Sequence, residues 1–275
     1  MPQAFYMPRQ PVGAGQLYCR LHRPAAGVAP RGALVYVHPW CEEMNKSRRM
    51  AALQARRLAD SGWAVLQVDL LGCGDSSGDF GDADWGAWTE DVVMAARWLR
   101  ARFDGPLWLW GLRAGCLLAA DAAARLDAPS RFLFWQPATS GKVVLQQFLM
   151  LRIASQMKDG KAQGQMQALR EELATGKAVH IGGYTLSPTL AEGMAAAALR
   201  PPPRGGRGIW LEVLAQSGAP PAPALVQAQS QWAEAGTTVR LACAAGPAFW
   251  QTTEVEDAPA LIAATTELLL EEPES

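Results

Sequence analysis

From Ala33 onward the chain alternates short β-rich apolar runs with longer stretches of helical period, the pattern of strands joined by crossover helices in a mostly parallel sheet. Residues 33–38, 63–70, 106–110, 131–135, 209–214 and 237–242 read as strands. Several of them are apolar throughout, which fits a sheet covered by helices on both faces. Residues 46–60, 85–103, 114–126, 222–235 and 259–271 read as helices, the first stopped by Ser61-Gly62. Ahead of this alternation, residues 3–7 and 16–22 form an expected antiparallel hairpin at one edge. With 275 residues, 49% hydrophobic and 19% charged, the chain has the apolar material for such a core, and disorder as its main state is excluded.

One segment breaks the rhythm. Residues 139–200 lie between two strands that a simple crossover would join in far fewer positions, so they read as an inserted cap, with 1–138 and 201–275 making the core domain. Residues 143–157 carry a broad apolar face through Val144, Leu145, Phe148, Leu149 and Ile153. Leu186-Ser187-Pro188 reads as a short extended piece, Ser187 placed to cap a helix with Pro188 in its first turn. The run Pro201-Pro202-Pro203-Arg204-Gly205-Gly206 returns the chain to the sheet.

Charge narrows the function. Twenty-five Lys and Arg against 26 Asp and Glu leave a net charge of −1, which offers no field for nucleic acid or an anionic membrane surface. No apolar run has the length of a membrane span and the opening residues carry no secretory pattern, so the expectation is a soluble cytoplasmic protein. Cys19, Cys41, Cys73, Cys116 and Cys243 are odd in number and scattered, without zinc spacing; they read as free thiols, and neither a metal nor another cofactor is expected.

The strand at 106–110 runs into Gly111-Leu112-Arg113-Ala114-Gly115 and then a Leu/Ala-rich helix. Glycines two residues to either side of a central position, in a strand–turn–helix unit, are the geometry of a nucleophile elbow, where they relieve crowding around a strained residue. With the inserted segment, this order resembles the α/β-hydrolase superfamily over nearly the whole chain, His38-Pro39-Trp40 standing at the oxyanion loop. More narrowly, the run from His38 to Met50, with Asp69-Leu70-Leu71-Gly72-Cys73-Gly74-Asp75-Ser76-Ser77-Gly78-Asp79-Phe80 and Gly111-Leu112-Arg113, resembles the type 2 exosortase A system-associated hydrolases. That resemblance implies an α/β-hydrolase fold of about eight mostly parallel strands with an inserted helical cap, in a setting of exopolysaccharide synthesis and protein sorting.

A serine hydrolase needs a hydroxyl or thiol at the elbow, an acid after the next-to-last strand and a histidine after the last. Arg113 occupies the first place, residues 215–219 hold no carboxylate, and no histidine follows His180. A guanidinium stays protonated and offers no nucleophilic lone pair. Arg113 is expected to pair with Glu42, Glu43 or Asp75, on loops leaving the strands' C-terminal ends, Glu43 first among them. Its role stays open between a structural salt bridge, an anchor for an anionic group and electrostatic catalysis.

The other candidates each carry two readings. Glu42 and Glu43 form either an acid/base pair, or one partner for Arg113 and one solvated or helix-capping group. His38 serves as a base or shapes its loop. Cys116 and Cys41 are thiol nucleophiles or inert packing, and Arg48 and Arg49 hold a phosphate or are solvated. Trp40, Trp110, Trp135 and Trp250 line a pocket above the strand ends or fill the core. The expected ligand site therefore comprises His38, Trp40, Glu42, Glu43, Arg48, Asp75, Arg113, Trp135 and Trp250, with His38, Glu43 and Cys116 as catalytic candidates. Three functions remain: a catalytically degenerate binder of a small glycan, acyl or anionic ligand or of a pathway protein; an active hydrolase with an unconventional site; and a scaffold without a ligand.

Overall fold

The computed structural model describes residues 2–128, 130–156 and 162–272. Eight strands form one sheet: β1 (Gln3–Pro8), β2 (Gln16–His22), β3 (Gly32–Val37), β4 (Trp63–Val68), β5 (Leu107–Leu112), β6 (Ser130–Trp135), β9 (Gly206–Leu214) and β10 (Thr237–Ala245), in the order β1-β2-β4-β3-β5-β6-β9-β10. β1 and β2 are antiparallel to their neighbours, and every pairing from β4 to β10 is parallel. The helices between them are α1 (Cys41–Asp60), α2 (Trp85–Arg100), α3 (Ala114–Ala123), α7 (Pro223–Glu234) and α8 (Pro259–Leu270). Among the described residues no helix is long and apolar enough to cross a membrane.

Side chains alternate across each strand, so the parallel strands feed two cores. Leu34, Tyr36, Trp110, Leu133, Trp135 and Leu211 pack under α1 and α8, while Val35, Val37, Leu109, Phe132, Phe134 and Trp210 pack under α2, α3 and α7. Trp110 and Trp135 belong to the first set and are fully buried. The ring of Trp110 packs 4.8 Å from that of Trp135, whose Nε1 donates to Thr265 Oγ1 of α8 at 2.9 Å. Their place near the strand ends does not bring them to a pocket, because the period of two aims both at the α1/α8 layer; the expected ligand role of Trp135 is corrected accordingly.

Between β6 and β9 the chain forms α4 (Gly141–Gln156), α5 (Ala162–Ala174), the hairpin β7 (Val179–Ile181) with β8 (Tyr184–Leu186), and α6 (Pro188–Ala196). α5 and the hairpin were not foreseen from the sequence. Ser187 Oγ caps α6 by accepting from Leu190 N at 3.1 Å and donates to Ala83 O at 2.9 Å, tying this insertion to the loop before α2. Val144, Phe148, Leu149, Leu186, Leu190 and Met194 join the core under α2 and α3, so the insertion shares its apolar interior with the sheet.

Candidate functional site

The turn from β5 to α3 has the backbone that its glycines require. Arg113 sits at φ 55° and ψ −120°, outside the regions open to most side chains. A Cβ on Gly111 would lie 2.6 Å from Cys116 Cα, and one on Gly115 would lie 2.3 Å from Val37 O. Two other non-glycine residues with positive φ, Cys41 at 52° and Gln136 at 43°, follow β3 and β6. Strained backbone thus gathers at the C-terminal edge of three neighbouring strands, the edge where open parallel sheets build their sites.

α1 starts at Cys41, five residues before the expected boundary, because the positive φ of Cys41 turns the chain into the helix directly after Trp40. Glu42 and Glu43 therefore lie in the first helical turn and not on a loop, where the helix dipole favours carboxylates. Glu43 Oε1 accepts from Arg113 Nε at 3.3 Å, and Arg113 Nη2 donates to Gln147 Oε1 of α4 at 3.3 Å. The guanidinium carbon lies 5.8 Å from the centre of the Trp250 ring, which adds a cation–π contact. With 14% of its side chain exposed against 20% for Glu43, Arg113 is spent on protein partners on three sides. Burial pushes the Glu43 carboxyl above the usual range, against the pull of Arg113 and of the nearby Gln251 amide. Its second oxygen is buried without a partner of hydrogen-bonding geometry.

Beside this pair lies a cleft of about 490 Å³ between α1, α4 and the loop after β10. Trp40, Val144, Phe148, Leu151 and Trp250 supply its apolar walls, and Glu42, Glu43, Lys46, Gln147 and Gln251 its polar groups. The polar groups are largely matched among themselves: Tyr184 Oη donates to Glu42 Oε1 at 2.9 Å, and Lys46 Nζ donates to Gln251 O at 3.4 Å. Val144, Gln147, Phe148 and Leu151 fall at the i, i+3, i+4, i+7 spacing of one helix face. Val144 and Phe148 of that stripe were read from the sequence as part of an apolar face, whereas Leu151 was not, and Gln147 and Gln251 carried no signal until the fold set them beside Arg113.

The remaining candidates lie elsewhere. The Leu70 N–H donates to His38 Nε2 at 3.2 Å, so Nε2 is unprotonated and Nδ1–H donates to Pro39 O at 2.6 Å. His38 is buried, its pKa pushed down by burial, and both its nitrogens hold the β3–α1 loop in shape. Together with Arg48, whose Nη1 and Nη2 donate to the two oxygens of Asp69 at 3.2 and 3.0 Å, it borders a separate void of about 20 Å³, room for about one water. Arg49 makes a two-bond pair with Asp257 on the surface, at 2.7 and 2.8 Å. Asp75 is exposed in the turn after β4 and meets Asp69 through its backbone N–H. Cys41 and Cys116 are buried thiols whose pKa burial pushes up, and Cys116 Sγ donates to Trp135 O at 3.7 Å. Neither has the thiolate character that a nucleophile needs. Among the described residues no group of three or more His, Cys, Asp or Glu is placed to hold a metal ion.

Residues 13–145 match the family model of the X-Pro dipeptidyl-peptidases (S15 family). The human protein ABHD12B is 35% identical over 95 residues, 34% of this chain; the match spans about a quarter of that relative's length. Est1E from Butyrivibrio proteoclasticus, solved with ferulic acid bound, superposes with a TM-score of 0.68 at 16% identity, covering 98% of both chains. An α-β serine hydrolase homologue from Coxiella burnetii superposes at 0.55 with 15% identity, over 98% of this chain and 95% of that one. The chain has the α/β-hydrolase fold. Within that fold Arg113 stands in the turn between β5 and α3, His38-Pro39-Trp40 in the loop after β3, and residues 246–251 in the segment after β10. β9 carries one carboxylate, Glu212, which is buried and accepts from Ala222 N at 2.7 Å near the start of α7.

Proposed function

We propose that this α/β-hydrolase-fold protein no longer performs acyl transfer and uses its cleft to bind a small molecule, the insertion acting as a cap over the Arg113–Glu43 pair. One observation carries the reading. The elbow keeps its strained backbone and both glycines, yet presents a guanidinium committed to Glu43 and Gln147. A cation without a lone pair cannot be acylated, and the segment after β10 brings Phe249, Trp250 and Gln251 to the place of the base. Matching an anion would require Arg113 to break an ion pair first. The motif running from His38 to Met50 supports a place beside cytoplasmic steps of envelope polysaccharide assembly, with a precursor or a protein of that pathway as partner.

The test is covalent labelling with a fluorophosphonate and with an electrophile for thiols, next to ester, thioester and glycoside turnover. The expected result is no labelling at the elbow and no turnover. Labelling or turnover abolished by one point substitution overturns the proposal. A second reading rests on the second oxygen of Glu43, buried without a hydrogen-bond partner at the cleft and beside Arg113, which suits a water-activating base next to a stabilising cation. It predicts hydrolysis that disappears in Glu43→Gln.

A further inference from the structure

Resting on the reading of the cleft as a ligand site, we infer that it takes a single-chain amphiphile with an uncharged hydroxyl-bearing head, and discriminates against charged heads of either sign. Three observations lead there.

The first is charge balance. Glu42 and Glu43 are offset by Lys46 and Arg113, and each of the four already has a protein partner: Tyr184, Arg113, the Gln251 carbonyl and Glu43. A carboxylate or phosphate entering the cleft meets Lys46 but also two carboxylates, and an ammonium meets the two carboxylates but also Lys46 and Arg113. The four charges sum to zero, so neither sign gains a net field to offset its desolvation in a partly enclosed site.

The second is the hydrogen-bonding capacity that the neutral groups retain. Gln147 uses its carbonyl oxygen on Arg113, which leaves its amide NH₂ as a donor, and the exposed Gln251 side chain, whose amide is turned toward Glu43, offers its carbonyl oxygen as an acceptor. Hydroxyl groups, which donate and accept, match this pair without any change of protonation. Trp40 and Trp250, both largely buried, add apolar aromatic walls to the same space.

The third is the apolar wall that leads out of the cleft. Val144 and Phe148 are buried at its base, while Leu151, one helical turn further along α4, keeps 58% of its surface in water. From Val144 to Leu151 the helix rises by about 10 Å. An alkyl chain laid along that stripe would cover Leu151 while its head stays between the two glutamines. The volume of about 490 Å³ lies within the range of small-molecule sites of roughly 300–1,000 Å³.

The experiment is titration calorimetry on the full chain with octyl glucoside, octanoate, octyltrimethylammonium and methyl glucoside, each below its micelle concentration. Octyl glucoside is expected to bind saturably and at least tenfold more tightly than the two charged octyl probes, with methyl glucoside giving no saturable signal. Leu151→Glu, on an exposed position that leaves the core intact, should weaken octyl glucoside at least tenfold. Val226→Glu, on an exposed site of α7 remote from the cleft, should leave it unchanged. Equal or tighter binding of octanoate or octyltrimethylammonium, or indifference to Leu151→Glu, overturns the inference while the cleft stays a ligand site. Saturable binding by none of the four probes overturns the inference too, and bears on the binding function itself only when covalent labelling of the elbow is also found.

Discussion

At the residue scale the central fact is a permanent positive charge in a strained turn at a helix N-terminus. The dipole disfavours a cation there by ~0.3–1 kcal/mol when exposed, and the Glu43 carboxylate offsets it. The same position suits an anion. Arg113→Cys should therefore yield a thiolate-rich cysteine, since helix N-termini lower thiol pKa. Mass spectrometry after iodoacetamide should show residue 113 labelled faster than the exposed Cys243, the native cysteines Cys19, Cys41, Cys73 and Cys116 being buried. Labelling no faster than Cys243 would show that the elbow does not aim its side chain at open space.

His38 supplies a second prediction at this scale. Its native pKa lies below the ordinary 6.5 because the charged form would be buried, so the native state binds fewer protons than the unfolded one as pH falls. The stability owed to neutral His38 is complete above pH 6.5 and is lost as pH drops toward the depressed native value, with a limiting slope of about 1.4 kcal/mol per pH unit. Urea unfolding from pH 7.5 to 5 should show a shallower decline in His38→Gln than in the parent; parallel declines would remove the assignment.

At the scale of elements the elbow depends on close approach between α3 and β3. An added methyl at Gly115 meets Val37 O at 2.3 Å and His38 O at 2.7 Å, both backbone atoms that cannot rotate away. Gly115→Ala should cost ~1–3 kcal/mol by overpacking, whereas Gly164→Ala on α5, with nothing within 4 Å, should be neutral or stabilising by up to ~1 kcal/mol. Denaturant midpoints of the two variants decide the point, and equal midpoints would refute the account of the glycine. This unit was legible from local sequence because a strand, two spaced glycines and a helix specify it within ten residues. The start of α1 was not. Its helix begins at a non-glycine residue with positive φ, a conformation that local propensity counts against and that the packing of Trp40 and Cys41 into the core sustains.

For the whole molecule, the segment between β6 and β9 is fastened to the helices over the sheet through small residues. A Cβ at Gly193 of α6 would stand 2.3 Å from Trp85 Cβ of α2, and Trp85 is itself held by Nε1 donating to Asp121 at 2.7 Å. Gly193→Ala should lift α6 from α2. Amide exchange in α4 and α6 should accelerate at least tenfold while β3, β5 and β6 keep their protection. Uniform acceleration across the sheet, or none in the insertion, would show that this contact does not fasten the insertion. The Arg113–Gln147 bond runs between the same two parts, so exchange in α4 also reports on the cleft.

What the amino-acid order determined alone is what repeats or closes within a short span: the strand–helix alternation, the strand–turn–helix unit with Arg113 between its two glycines, and the absence of a histidine after His180. The meeting of Arg113 with Glu43, 70 residues apart, was open to anticipation because both follow parallel strands, whose C-terminal ends share one edge. Tertiary structure alone decided which tryptophans face the cleft. Trp135 and Trp250 look equivalent as residues near strand ends, but the pleat turns one toward α8 while the loop after β10 lays the other against a guanidinium. It also decided that Gln147 and Gln251, unremarkable in sequence, complete the polar floor, since such a site is made by distance between segments and a linear order of residues holds no distances.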